Sequence, residues 1–347
     1  MTRTTAQNTD RSYRDNCLSL VKLIAALQVM LGHLQLHLQL PKIPRYLISY
    51  FNGVPIFFVI SGFLISFSVK TSASYKEYLK KRFWRIYPEL WLAVAFEIIS
   101  IVIFYRSFNA KHLAVFTFTQ ATFFQFWTPN SLRGYGCGTP NGALWTICVM
   151  IQFYIIAWLI RKFMNKRKWY ILAAVNACLI LASIIGHFAA EKLGSEILLK
   201  LYGQTIIRYC WLFFFGCFLA EFKDKALPFI SKYFYVFLVA AIIPFVTRVD
   251  IYAGYNVLWS LLLVTGLIGF AYRFPKLALR NDISYGIFLW HMIIVNIFIT
   301  KGWTGSWGYG MAVAVLTIIC SYISFRTVGS WSSKMKKMRT ISRNTAE

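Results

Sequence analysis

The chain has 347 residues, 58% of them hydrophobic and only 14% charged, with 31 Phe, 20 Tyr and 12 Trp. Soluble domains carry roughly 25% charged residues, so this composition excludes an ordinary soluble enzyme and indicates a chain that crosses a membrane many times. The net charge of +25 does not point to nucleic acid, because the Lys and Arg residues sit between apolar runs, where topology signals lie, and are not gathered on one face.

Uninterrupted apolar stretches fall at 17–40, 46–69, 86–105, 142–160, 169–188, 205–220, 233–247, 252–272, 283–300 and 306–325. Their lengths suit membrane helices. The first is no cleaved leader, since it is long and holds Lys22, His33 and His37. None shows the two-residue alternation of a barrel strand, and backbone polar groups in lipid must be satisfied within each segment. The expected fold is therefore all-α and polytopic, with about ten transmembrane helices. An even count puts both termini on one side. The loops and ends on that side carry 26 Lys and Arg, including Arg3, Arg14, Lys76 and Lys337, against nine on the other, including Arg45, Arg133 and Arg248. The positive-inside bias then makes both termini cytoplasmic.

Residues 1–16 read as a short cytoplasmic arm, 17–325 as the transmembrane domain and 326–347 as a basic tail, with no soluble catalytic domain appended. The chemistry is thus expected within the bundle or its loops. The longest loop, 106–141, lies on the outer side and ends in a turn-rich run from Gly134 to Gly142. It fits an acceptor-binding lid and a solvated connector equally well. Seven cysteines without CxxC spacing imply neither a metal site nor a disulfide framework. No internal repeat is visible, which disfavours a transporter built from related halves.

Ionisable residues inside spans are costly and become the functional candidates. They are Lys22, His33, His37, Glu97, His187, Arg208 and His291, with Glu89 and Asp282 at span entrances. Lys22 and His33 are eleven residues apart, about 16 Å along a helix axis and close to three full turns, so both face one side. They fit the lining of one channel, and equally a snorkelling lysine and a structural histidine. Arg82 and Arg85 share a face at i, i+3. Such a fork suits bidentate phosphate binding, and juxtamembrane arginines also serve as topology marks or lipid contacts. His291 follows Ser284, Tyr285 and Trp290 in SYGIFLWH, which suits orienting a carbonyl or a hydroxyl, or a satisfied interior histidine.

Taken together, five motifs resemble those of the membrane-bound acyltransferase 3 family, which O-acetylates bacterial surface polysaccharides and related acceptors. They are Lys22-x10-His33, FFVISGFLIS with Ser61, KRFWRIYP with Arg82-x-x-Arg85, NGALWTI with Trp145, and SYGIFLWH with Tyr285 and His291. They occur in the family's order over most of the chain, in the manner of its stand-alone polysaccharide O-acetyltransferases. One position departs: the family commonly has V-E-x-x-F-Y after LWT, whereas here Met150 replaces the Glu in Val149 to Tyr154.

The resemblance implies acetyl-CoA as the cytoplasmic donor, without a metal, and a glycan or lipid-linked oligosaccharide as acceptor in a bacterial inner membrane. Lys22, Arg82 and Arg85 would meet the donor phosphates. His33 would act as general base or carry the acetyl group, joined by His291 as the second catalytic residue. Ser61, Tyr285 and Trp145 would contact substrate. A lipid or small-molecule acceptor and, in another class, a proton-coupled transporter remain as alternatives.

Overall fold

A computed structural model describes residues 15–44, 49–125, 127–247 and 256–331. All but the last two residues of the expected terminal arm and all but the first six residues of the basic tail lie outside them, as do Arg45 and Arg248. Among the described residues the regular structure is helical throughout, without a strand. The long helices are α1 (Leu18–His37), α2 (Gly53–Lys70), α3 (Tyr75–Phe104), α4 (Ala110–Ala121), α5 (Trp145–Met164), α6 (Trp169–Lys192), α7 (Glu196–Tyr202), α8 (Ile206–Glu221), α9 (Lys223–Lys232), α10 (Phe234–Thr247), α11 (Val257–Arg273), α12 (Ser284–Thr300) and α13 (Trp307–Ser324).

Each of the ten apolar segments is helical over most of its described residues. Seven spans are long and apolar enough to cross a membrane, an eighth is α9 with α10 bent by 77° between them, and α11 and α12 are shorter apolar helices. The protein is a multi-pass membrane protein. Three expectations change in detail. The segment expected from 233 onward is one arm of a bent pair. The loop after residue 105 contains α4. The third span begins eleven residues earlier than its apolar run, because Ser74 caps the helix at the Glu77 amide (3.2 Å) while the Glu77 carboxylate accepts from Ala73 N (3.0 Å). At 30 residues, α3 is about 45 Å long against a hydrocarbon core of about 30 Å, so its basic first turns extend beyond the apolar layer.

Helix α12 is the centre of the bundle, buried along nearly its whole length and packed on α1, α3 and α13. Elsewhere in the bundle, α2 and α8 cross backbone to backbone. A Cβ on Gly62 would meet Phe213 O at 2.0 Å, and one on Gly216 would meet Val59 O at 2.0 Å. Only glycine admits that approach, which seats the FFVISGFLIS helix deep in the protein and leaves Ser61 facing the interior cavity. At the basic end, Glu221 of α8 ties together Arg161 of α5 and Lys70 of α2, the latter at 3.4 Å.

Candidate active site

Two polar contacts join α1 to α12 and the residues just before it, beside an apolar interface of Ala26, Met30 and Leu34 with Ile287 and Ile294. Lys22 forms an ion pair and hydrogen bond with Asp282, just before α12. Farther along, His33 Nδ1 lies 2.8 Å from His291 Nε2, with the rings stacked at 5.1 Å and 25°. Asp282 is further held by Ser284, whose hydroxyl donates to it at 2.5 Å. Burial opposes the Asp282 charge, but the Lys22 ammonium and the Arg85 guanidinium outweigh it and hold the carboxyl below the usual range.

The hydrogen-bond chain fixes the histidine tautomers. His291 Nδ1 lies 2.8 Å from the Ile287 carbonyl, which can only accept, so Nδ1 carries the proton. A neutral His291 then accepts at Nε2, and His33 donates from Nδ1. His33 Nε2 is left with its lone pair and no partner among the described residues. A base presented in this way is what proton abstraction from a hydroxyl requires. His291 is completely buried, whereas His33 is part-exposed.

Toward the basic end lies a cavity of about 190 Å³, far more than the roughly 10–15 Å³ that one water needs. Lys22, Arg82 and Arg85 line it, with Ser61, Tyr285 and Met150. The cations differ in their compensation. Lys22 is paired with Asp282, and Arg85 Nη1 lies 3.6 Å from Glu89 on its own helix and over the Tyr285 ring at 5.4 Å. Arg82 donates to Ser68 Oγ at 2.7 Å and sits 5.8 Å from the Tyr78 and Tyr154 rings. No carboxylate pairs with it among the described residues, and its buried Nε has no partner there. Arg82 is therefore the one of these three cations without a carboxylate partner among the described residues. Beyond the cations the walls are apolar, ending at Phe57 and Phe288, whose rings meet edge to face at 6.4 Å.

Phe288 is also 6.2 Å from the His291 ring. The histidine pair thus stands one aromatic layer behind the cavity, and neither histidine lines it. Lys22 and His33 share the α12-facing side of α1, as their spacing suggests, but Lys22 reaches the cavity and His33 does not. Trp145 likewise stays outside it, 5.4 Å from the Tyr209 ring, while its neighbour Thr146 is in the wall.

Among the other in-span candidates, His187 is buried 3.8 Å from Glu191, and Arg208 lies over the Tyr202 and Tyr209 rings at 5.9 and 5.7 Å. Glu97 is fully buried, and its carboxyl oxygens have no hydrogen bond among the described residues. Met150, at the family's usual Glu position, is part of the cavity wall, and the carboxylates on the site's cations come from Glu89 and Asp282 instead. For Asp282 that counter-ion role was not read from the sequence, whereas the sequence already places Glu89 at i+4 from Arg85. The signal for Asp282 is a comparable placement: it precedes His291 by nine residues, and Lys22 precedes His33 by eleven.

An outer turn docks on the same helix. Asn296 of α12 accepts from Cys137 N at 2.7 Å and donates to Pro140 O at 2.7 Å and Thr139 O at 3.1 Å, while Asn141 donates to Leu289 O at 2.9 Å. Gly136, at φ +56°, makes the turn possible, since a Cβ there would strike the Asn296 carboxamide oxygen at 2.0 Å.

The acyltransferase domain of the acyltransferase 3 family matches residues 15–326. The chain belongs to the acyltransferase 3 family. It is similar to nodulation protein 10 of Rhizobium leguminosarum bv. viciae, 26% identical over 95% of this chain and 96% of that protein. It is also similar to the O-acetyl transferase of Shigella phage Sf6, 25% identical over 91% and 95% of the two chains. A shorter stretch, 30% of this chain and 19% of the relative, is 28% identical to the peptidoglycan O-acetyltransferase OatA of Listeria monocytogenes. No solved structure matches. The protein is accordingly an acyltransferase.

Proposed function

We propose that this acyltransferase moves an acetyl group from cytoplasmic acetyl-CoA to a hydroxyl of a surface polysaccharide or lipid-linked glycan, from within a bacterial inner membrane. The observation that carries this reading is a part-exposed base, His33, standing one aromatic layer behind a cavity that is basic at one end and apolar beyond. The donor has the matching shape: a charged phosphate head and a slender, uncharged arm that carries the thioester. Arg82 binds phosphate first, as the uncompensated guanidinium, and Arg85 and Lys22 exchange Glu89 and Asp282 for the donor's oxygens. The arm runs along the apolar wall toward Phe57 and Phe288, which part to admit the thioester to His33.

The acceptor hydroxyl loses its proton to His33 Nε2 while its oxygen attacks the thioester carbonyl. The new C–O bond forms, the C–S bond breaks, and the proton passes from His33 to the departing sulfur, giving the ester and free CoA thiol. His291 does not touch the reacting atoms in this scheme. It is a positioning residue that holds His33 in the tautomer with a free Nε2, as the carbonyl of Ile287 holds His291. Acetyl transfer to oxygen is supported by the names of two relatives, an O-acetyl transferase of a phage and a peptidoglycan O-acetyltransferase, and a glycan acceptor by the second of them.

Membrane topology supports the same orientation. Two contacts in register along α1 and α12 form only if these helices run in the same direction, which requires an odd number of crossings between them. Helices α2, α3, α5, α6, α8, α10 and α11 supply seven, and α13 completes ten spans. Both termini then face the cytoplasm with the basic loops and the cation-lined cavity.

The test is transfer of label from radioactive acetyl-CoA, added to the cytoplasmic face of inverted vesicles, to membrane glycolipid. Label should appear with the wild type and fall to background with His33→Ala. Equal labelling by the two proteins would remove His33 from the reaction. No labelling by the wild type in acceptor-rich vesicles would overturn acetyl transfer to glycolipid.

A further inference from the structure

Both histidines used so far are accounted for by the hydrogen-bond chain, but a third imidazole adjoins them. His37 lies one turn beyond His33 on α1, about 6 Å farther from the basic cavity. The two rings meet edge to face at 5.7 Å, and i, i+4 spacing keeps both on the side that faces α12. His37 is part-exposed, and its ring makes no hydrogen bond among the described residues. The carbonyl of the next residue, Leu38, accepts from Gly305 N at 2.8 Å, and Pro41 O accepts from Trp307 Nε1 at 3.1 Å. The loop between α12 and α13 therefore forms a rim on the chain that leaves His37. The donor cavity opens at the opposite end of α1, beside Lys22. An acceptor that does not share the donor's entrance must reach His33 Nε2 from the His37 side.

We infer that His37 is the acceptor-binding residue of the site: its imidazole hydrogen-bonds the incoming alcohol and presents the hydroxyl to His33 Nε2. This rests on the acetyl-transfer reading above and extends it to the second substrate. The alcohol oxygen has two lone pairs and one proton. With the proton directed to His33, an N–H of His37 can donate to one lone pair and leave the other aimed at the thioester carbonyl. No proton is gained or lost by His37 in the cycle, so its contribution is to binding and orientation.

The test uses the purified full-length protein in proteoliposomes, with radioactive acetyl-CoA as donor and glycolipid extracted from a host lacking the protein as acceptor. Each substrate is varied in turn for wild type, His37→Ala, His37→Asn and His33→Ala. His37→Ala is expected to raise the KM for the glycolipid at least tenfold and to leave the KM for acetyl-CoA within about twofold. His37→Asn, which keeps an N–H donor but cannot act as a base, should recover most of the loss. An unchanged glycolipid KM in His37→Ala would overturn the assignment, and so would a rise confined to acetyl-CoA. A loss that Asn does not restore, in a protein still monodisperse in detergent, would replace hydrogen bonding by a packing role and overturn it as well. Absence of transfer by the wild type would overturn the acetyl-transfer reading itself, whereas normal wild-type transfer with normal His37→Ala kinetics would remove only the His37 role.

Discussion

At the scale of single residues, the site separates its cations by what neutralises them. Lys22 and Arg85 have carboxylate partners in Asp282 and Glu89, whereas Arg82 has a serine hydroxyl and two aromatic faces. In the proposed reaction a donor phosphate displaces the partners of the first two but meets Arg82 directly. Charge-assisted hydrogen bonds are worth about 1.5–3 kcal/mol, so Arg82→Ala should raise the KM for acetyl-CoA by about 10–150-fold. Arg85→Ala should cost less, and Arg82→Lys should restore only part of the loss because it lacks the planar fork. Initial rates at varied acetyl-CoA decide the order of the three, and equal effects of Arg82→Ala and Arg85→Ala would contradict it. Met150 fits the same account. A carboxylate there would line the cavity beside Arg82 and compete with the donor for its cations.

At the scale of elements, α12 connects the two ends of the site. Its first residues adjoin Asp282, its middle carries His291, and Asn296 clasps the outer turn. The Asn296 side chain satisfies three groups of that turn, and leaving such groups unmet costs about 1–3 kcal/mol each. Asn296→Ala should therefore loosen the turn before it unfolds the bundle. Cys137 reports on this, since its amide is one of the bonded groups and burial pushes its thiol up, which slows alkylation. A membrane-impermeant maleimide should label Cys137 at least tenfold faster in Asn296→Ala, read as the increment lost when Cys137→Ser is added. An unchanged rate would mean that the turn is held by other contacts.

Across the whole molecule, two polar contacts register α1 against α12, and the charged one depends on pH. Asp282 titrates below the ordinary carboxylate range in the folded protein, so the unfolded chain binds its proton first as pH falls. The stabilisation from this group is therefore fully present above about pH 4, the unperturbed value, and is lost as pH drops through the lower folded value. Thermal unfolding of the detergent-solubilised protein should show a smaller acid-dependent loss below about pH 4 in Asp282→Asn than in the wild type. Matching curves would mean that the Lys22–Asp282 pair adds nothing to stability.

The all-helical character and the ten apolar segments were legible in the sequence because lipid imposes length and hydropathy on every crossing. The family motifs were legible for a related reason: costly charged and imidazole side chains stand out against apolar runs, and Lys22, His33, Arg82, Arg85 and His291 were all visible in this way. Periodicity even gave Lys22 and His33 a common face. It could not say what that face meets, since contacts such as His33 with His291 join residues 258 positions apart. Only the tertiary structure decided that Asp282 neutralises Lys22, that Phe57 and Phe288 stand between cavity and base, and that Trp145 packs away from the cavity. It also decided which nitrogen of His33 is free. That choice is made by the Ile287 carbonyl through His291, and a hydrogen-bond chain of this kind exists only once the helices are packed.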